Sequence, residues 1–185
     1  MLKIIVATAA ILLPGAALAE DWTKFYAEVY GGAAVGTDTQ YNGADYAMDP
    51  TWAAGAAFGV DFGNGFSLGV DLMKTGDAQY QTESATLTTF SVMAEGEYAL
   101  ALNDTFAVYG SLGLGAVNIG IDGMGSDNAW AAGYSAAVGV RANVTENMAL
   151  FGELKHQNTF DTVELFGDDV GAPTNTALVG LRLSF

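Results

Sequence analysis

The sequence predicts an all-β fold, an eight-stranded antiparallel up-and-down transmembrane β-barrel, and three observations carry that reading. Hydrophobic residues make up 51% of the chain. Yet no apolar run reaches the length of about 20 residues that a membrane helix needs, so the apolar side chains must be spread out. From residue 25 onward they alternate with small or polar residues in segments of about ten, which is the period of a strand. The connectors also alternate, short then long, as in a barrel with tight turns at one membrane face and longer loops at the other.

The amino-terminus is set apart. Met1, Leu2 and Lys3 precede an apolar run over residues 4–13, then Pro14, Gly15 and the small residues 16–19 before Glu20 and Asp21. This is the layout of a secretory signal peptide, with Ala19 the last residue removed. The expected organisation is therefore a signal peptide at 1–19 and one barrel domain at 20–185. There is no cysteine, so a disulfide framework is excluded as the source of stability. A net charge of −15, from 21 acidic against 6 basic residues, argues against nucleic acid as a partner, because phosphate binding needs clustered Lys and Arg.

The segments follow in order. In the first, Phe25, Ala27, Val29, Ala33 and Val35 oppose Tyr26, Glu28 and Tyr30. In the second, Trp52, Ala54, Ala56, Phe58, Val60 and Phe62 oppose Ala53, Gly55, Ala57, Gly59 and Asp61. The third sets Phe66, Leu68, Val70 and Leu72 against Ser67, Gly69 and Asp71; the fourth sets Phe90, Val92, Ala94, Tyr98 and Leu100 against Ser91, Met93, Glu95 and Glu97. The fifth sets Val108, Leu112 and Leu114 against Tyr109, Ser111, Gly113 and Gly115, and the sixth sets Trp130, Tyr134, Val138 and Val140 against Gly133, Ser135, Gly139 and Arg141. In the seventh, Leu150 and Leu154 oppose Glu153 and Lys155; in the eighth, Val179, Leu181, Leu183 and Phe185 oppose Gly180, Arg182 and Ser184. The two faces are expected to keep their character throughout.

Short connectors fall at residues 63–65, 101–105 and 145–147, and longer ones after the first, third, fifth and seventh segments. In hydrocarbon every backbone polar group must be paired within the protein, so a membrane sheet closes on itself and turns its apolar face outward. The face rich in glycine, serine and charge then lines a lumen that side chains can fill. Aromatic residues at strand ends, namely Phe66, Phe106, Trp130, Phe185 and Trp52, suit the interfacial girdles.

The chain ends in a Gly-x-x-hydrophobic-x-Phe pattern formed by Gly180, Leu183 and Phe185. With the signal peptide and the eight alternating segments, it resembles the small outer-membrane β-barrel family, which includes the opacity-type porin family and the OmpA-like transmembrane barrel domain. The resemblance implies a Gram-negative outer membrane within the cell envelope, contact with its lipids and lipopolysaccharide, and docking of the last strand by the barrel-assembly machinery. The resemblance brings no cofactor and no metal.

Three constellations could carry chemistry. Glu28, Asp61, Asp71, Glu95, Glu97, Arg141, Glu153, Lys155 and Arg182 are assigned to the lumen, where charges must pair or stay hydrated. They are expected either to rigidify the barrel as a salt-bridge network or to line a narrow cation-preferring path with Arg141 at its centre. The longer loops carry Asp38, Asp45, Asp49, Asp77, Glu83, Asp122, Asp127, Asp161, Glu164, Asp168 and Asp169 without an EF-hand pattern. They can be hydrated surface, or can meet divalent cations or a basic partner. The one histidine, His156, brings to mind barrels that deacylate lipid A, which place a serine two residues later. Asn158 stands there instead, so no hydroxyl is positioned for activation.

The expected function is thus a non-enzymatic integral outer-membrane barrel with a structural or surface-interaction role, acidic external loops, an unidentified external ligand and both termini in the periplasm. A small porin-like pore is the alternative, and a lipid A-modifying enzyme is a third.

Overall fold

The computed structural model describes residues 24–35, 38–41, 44–47, 49–79, 86–122 and 126–185. The segment read as a signal peptide and loop residue Glu83 lie outside them, as do the side chains of Asp38 and Asp45. Eight strands build a closed antiparallel barrel: β1 (Lys24–Ala34), β2 (Thr51–Asp61), β3 (Phe66–Thr75), β4 (Thr86–Ala101), β5 (Phe106–Asp122), β6 (Ser126–Thr145), β7 (Met148–Thr159) and β8 (Thr174–Ser184). Each pairs with its sequence neighbours, and β8 returns to β1 with Glu28 opposite Arg182 and Ala27 opposite Leu183. Phe25 and Phe185 exchange both backbone hydrogen bonds at the seam, at 3.0 and 2.9 Å, so pairing runs to the last residue.

The outward face is apolar where a water-soluble protein would be polar. Val29, Phe58, Leu112, Val138, Leu154 and Val179 are all exposed, Leu112 to 72%. A belt of this kind wants hydrocarbon around it. Aromatic residues edge it at both ends: Phe25, Phe66, Phe106 and Phe185 at the turn end, and Trp52, Phe90, Trp130 and Phe160 at the loop end.

Short turns join the strands at residues 62–65, 102–105 and 146–147. Local chemistry makes them. Gly63 and Gly65 adopt positive φ of 73° and 86°, which costs glycine nothing. Asp61 and Asn64 side chains accept from the Gly63 and Phe66 amides, and Asn103 accepts from Thr105 and Phe106.

Interior glycines answer to aromatic neighbours. Gly139 lies directly across from Tyr109 and Gly180 directly across from Phe151, and a Cβ at either position would run into the facing ring. Each of these two rings therefore fits because one of its neighbouring strands carries no side chain opposite it.

Two expectations fail at the loop end. The fifth connector is not long, because β5 and β6 stay paired out to Asp122 opposite Ser126. Nor do the faces keep their character. On β5 beyond Gly115 the inward positions become apolar (Val117, Ile119, Ile121), joined by Leu87 on β4, while Thr88, Asn118 and Asn128 turn outward; the inward Thr89, Ser91, Gln157, Thr174 and Thr176 stay polar. The physical reason is a change of solvent: this part of the barrel stands above the hydrocarbon, so it buries apolar side chains as a water-soluble protein does.

The residues bridging β1 to β2 and β7 to β8 build a small second sheet at the loop end. Strands Asp38–Tyr41 and Ala44–Ala47 pair with each other, and the hairpin Val163–Leu165 with Asp168–Gly171 joins them through Val170 opposite Tyr41. Its fully buried Leu165 and Val170 pack onto Met93, Val117 and Ile119. The Phe166 amide donates to Asp127 Oδ2 at 3.0 Å, fastening the hairpin tip to β6. Among the described residues an apolar plug thus fills the lumen toward its loop end.

Candidate functional site

Strand alternation sends every second side chain into the lumen, so charges spaced by two residues stack into layers there. In the layer nearer the turn end, Arg182 of β8 reaches Glu28 of β1 at 3.0 Å, Glu97 of β4 at 3.2 Å and Asp61 of β2 at 3.3 Å. It also donates to Ser67 Oγ on β3 at 3.2 Å. Arg141 of β6 holds both oxygens of Glu97 at 2.8 and 2.9 Å and lies 3.7 Å from Glu28. Two guanidinium groups therefore share two carboxylates.

The second layer centres on Lys155 of β7, which is 4% exposed. Its Nζ lies 2.9 Å from Glu95, 3.3 Å from Asp71 and 3.7 Å from Glu153. The Tyr30 hydroxyl donates to Asp71 at 2.5 Å, Tyr109 to Glu153 at 3.1 Å and Ser135 to Glu95 at 2.8 Å. Aromatic faces support the cations: the Arg182 guanidinium sits 3.7 Å from the centre of the Tyr26 ring, and Arg141 lies 4.8 Å over Tyr109.

All nine charged residues assigned to the lumen from sequence meet in these two layers. Each of the eight strands contributes to them, β5 through Tyr109. Sequence reading did not single out Tyr26, Tyr30, Tyr109, Ser67 and Ser135 as partners. The signal was their phase: Tyr26, Tyr30, Ser67 and Ser135 sit an even number of residues from a lumen charge on their own strand, and Tyr109 sits two residues from Ser111, which lies opposite Glu97. Among the described residues no group of three or more His, Cys, Asp or Glu is arranged to hold a metal ion.

The remaining candidates lie apart. His156 is on the outward face of β7, its Nδ1 2.8 Å from Asn175 Oδ1 and its ring beside Tyr134. Of the terminal pattern, Gly180 faces inward beneath Phe151 and Tyr30, while Leu183 and Phe185 face outward.

An outward apolar belt on a closed sheet is the arrangement of an outer-membrane barrel, and a profile of the outer membrane protein β-barrel domain family matches residues 5–185. The chain belongs to that family. This outer-membrane barrel shares its fold with neisserial surface protein A at 16% identity and a TM-score of 0.69, over 87% of this chain and 97% of the other. It is also similar to the amino-terminal β-barrel domain of Pseudomonas aeruginosa OprF, at 18% identity and a TM-score of 0.56, over 88% and 97% of the two chains. For Pseudomonas aeruginosa OprG the values are 11% and 0.54, over 89% and 96%. No curated protein matches the sequence. Membership places the protein in the bacterial outer membrane, with its belt against lipid.

Proposed function

We propose that this barrel is a closed, non-enzymatic outer-membrane protein whose role is structural or exercised at its external surface. One observation carries the reading: two ion-pair layers and an apolar plug occupy the lumen in series, so what is offered to partners is the loop end. That end exposes Asp77, Asp122, Asp161, Glu164 and Asp169, which suits a basic partner surface or cation-bridged lipid head groups. The short turns and the β1 and β8 ends share the opposite side, which supports periplasmic termini. Gly180, Leu183 and Phe185 serve as the signal for the barrel-assembly machinery.

The non-enzymatic reading is supported at His156, whose ring nitrogen meets an amide rather than a hydroxyl. Loss of a lipid A deacylation activity in His156→Ala would overturn it. A second reading, a narrow cation-preferring pore, is favoured by the excess of six lumen carboxylates over three cations. Planar bilayers separate the two. The purified protein is expected to stay silent, whereas discrete openings that change with Arg141→Ala would establish the pore. A deletion strain, compared with its parent for adhesion and envelope integrity, then tests the surface role; a strain unchanged in both would remove it.

A further inference from the structure

The hairpin at the loop end closes in a turn that its own sequence does not favour. Leu165 pairs with Asp168, which leaves Phe166 and Gly167 as a two-residue connection with φ of 54° and 88°. Two positive φ values in succession are the type I′ pattern, which Asn-Gly and Asp-Gly fill readily. Gly167 takes its angle freely, whereas Phe166 is the one non-glycine residue with positive φ among the described residues. A bulky side chain in the left-handed region is strained.

The fold holds that strain in place. Leu165, next to the tip, is fully buried, and Asp127 of β6 accepts the Phe166 amide hydrogen bond. Phe166 itself is 51% exposed, so packing inside the protein repays only part of the backbone cost. An aromatic side chain presented half in solvent on a rigid, strained support has the character of a binding anchor, since buried aromatics dominate the energetics of interfaces.

Charge selects the partner. All six basic residues of the sequence lie elsewhere: Lys3 precedes the barrel, Lys24 begins β1, Arg141, Lys155 and Arg182 fill the lumen, and Lys74 stands at the rim of β3. Residues 75–140 and 156–181 hold no Lys or Arg. On the hairpin, Glu164 lies opposite Asp169 and both are exposed, two and three residues from Phe166 along the chain. A surface of one sign turns away anionic partners and draws cationic ones. An exposed ring among carboxylates is a setting in which an arginine guanidinium can stack on the ring and still meet an oxygen at its edge. Lipid head groups bridged by cations would engage the carboxylates and leave the ring unused.

We propose that Phe166 anchors a docking surface for a cationic polypeptide, with an arginine of the partner stacked on its ring and neighbouring charges met by Glu164 and Asp169. This rests on the external-surface role proposed above and gives it a place and a partner class. The left-handed turn serves to present the ring, at the expense of the turn residue that would suit the hairpin best.

The test uses the full-length protein in phosphatidylcholine nanodiscs, with fluorescent nona-arginine as the probe, at roughly 0.1 M salt, where charges further apart than about 10 Å are screened. The unaltered protein is expected to bind the peptide, and Phe166→Asn to weaken binding by roughly 3- to 5-fold while its hairpin resists proteinase K at least as well as before. Equal affinity of the two proteins overturns the anchor and leaves the acidic surface standing; failure of the unaltered protein to bind overturns the cationic partner as well. Should Phe166→Asn be cleaved faster, Phe166→Tyr and Phe166→Leu decide the matter. Binding kept in the first and weakened in the second supports the stacked ring, and equal binding in both overturns it.

Discussion

Glu28 and Arg182 face each other across the seam where the first strand meets the last, with Oε1 3.0 Å from Nη1. The pair thus bridges the one junction that no turn connects. Removing one partner from a buried ion pair leaves a charge without compensation, at a cost of about 3–5 kcal/mol. Arg182→Met is expected to lose stability in that range by urea unfolding in detergent. The double variant Glu28→Gln with Arg182→Met is expected to lose less than the two single losses added together, and simple additivity would show that the pair is uncoupled.

The glycines divide into two kinds. A Cβ at Gly139 would strike the Tyr109 ring, whereas at Gly152 on the outward face the nearest atom would be 3.9 Å away. Gly139→Ala is expected to cost about 1–3 kcal/mol through overpacking, and Gly152→Ala almost nothing. On gels run without boiling, Gly139→Ala should shift protein from the fast-migrating folded band to the slower unfolded one. Equal behaviour of the two variants would contradict the packing.

Depth in the belt sets the cost of a charge. Leu154 lies near the middle of β7 and is 63% exposed, while Asn158 sits at its loop end. Leu154→Arg is expected to destabilise by about 2–4 kcal/mol, and Asn158→Arg by about 0–1 kcal/mol. Folding titrations in lipid vesicles measure both, and a larger loss at Asn158 would place the membrane wrongly.

The plug can be loosened without touching the lumen. Val170 is fully buried against the strands of the barrel mouth, so Val170→Asp puts an unpaired carboxylate into an apolar cluster. Protease added to intact cells is expected to cut residues 160–171 faster in this variant, while the barrel itself keeps its resistance to unfolding by detergent. An unchanged cleavage rate would mean that the hairpin is held by something other than this cluster.

Much of this was legible in the sequence because membrane strands impose a strict period of two. Position 28 fixes the side on which 26 and 30 must lie, and all nine lumen charges follow from the same rule applied strand by strand. The rule names a face but not the neighbour opposite. The pairing of Arg141 with Glu97 depends on the stagger of strands, which alternation alone leaves open. The loop end escapes the rule for a different reason. Val117, Ile119 and Ile121 alternate with Asn118, Gly120 and Asp122 as regularly as the belt does, but with polarity reversed, so a rule that keeps apolar residues outward does not extend the strand through them. Strand phase survived there while the solvent changed.

That reversal also works as a depth gauge built into the wall. Thr88, Asn118, Asn128 and Asn175 are outward polar residues at the loop-end rim, on β4, β5, β6 and β8. On β8, Asn175 stands ten residues from Phe185. At about 3.3 Å per residue and a tilt of roughly 35–45°, the interval is about 25 Å, the height of an outer-membrane belt. Sliding the barrel by one strand layer in either direction would put amides into acyl chains at one rim or bare phenylalanines into water at the other. The protein is therefore pinned along the membrane normal, and the loop-end sheet is carried at a fixed height above the lipid surface.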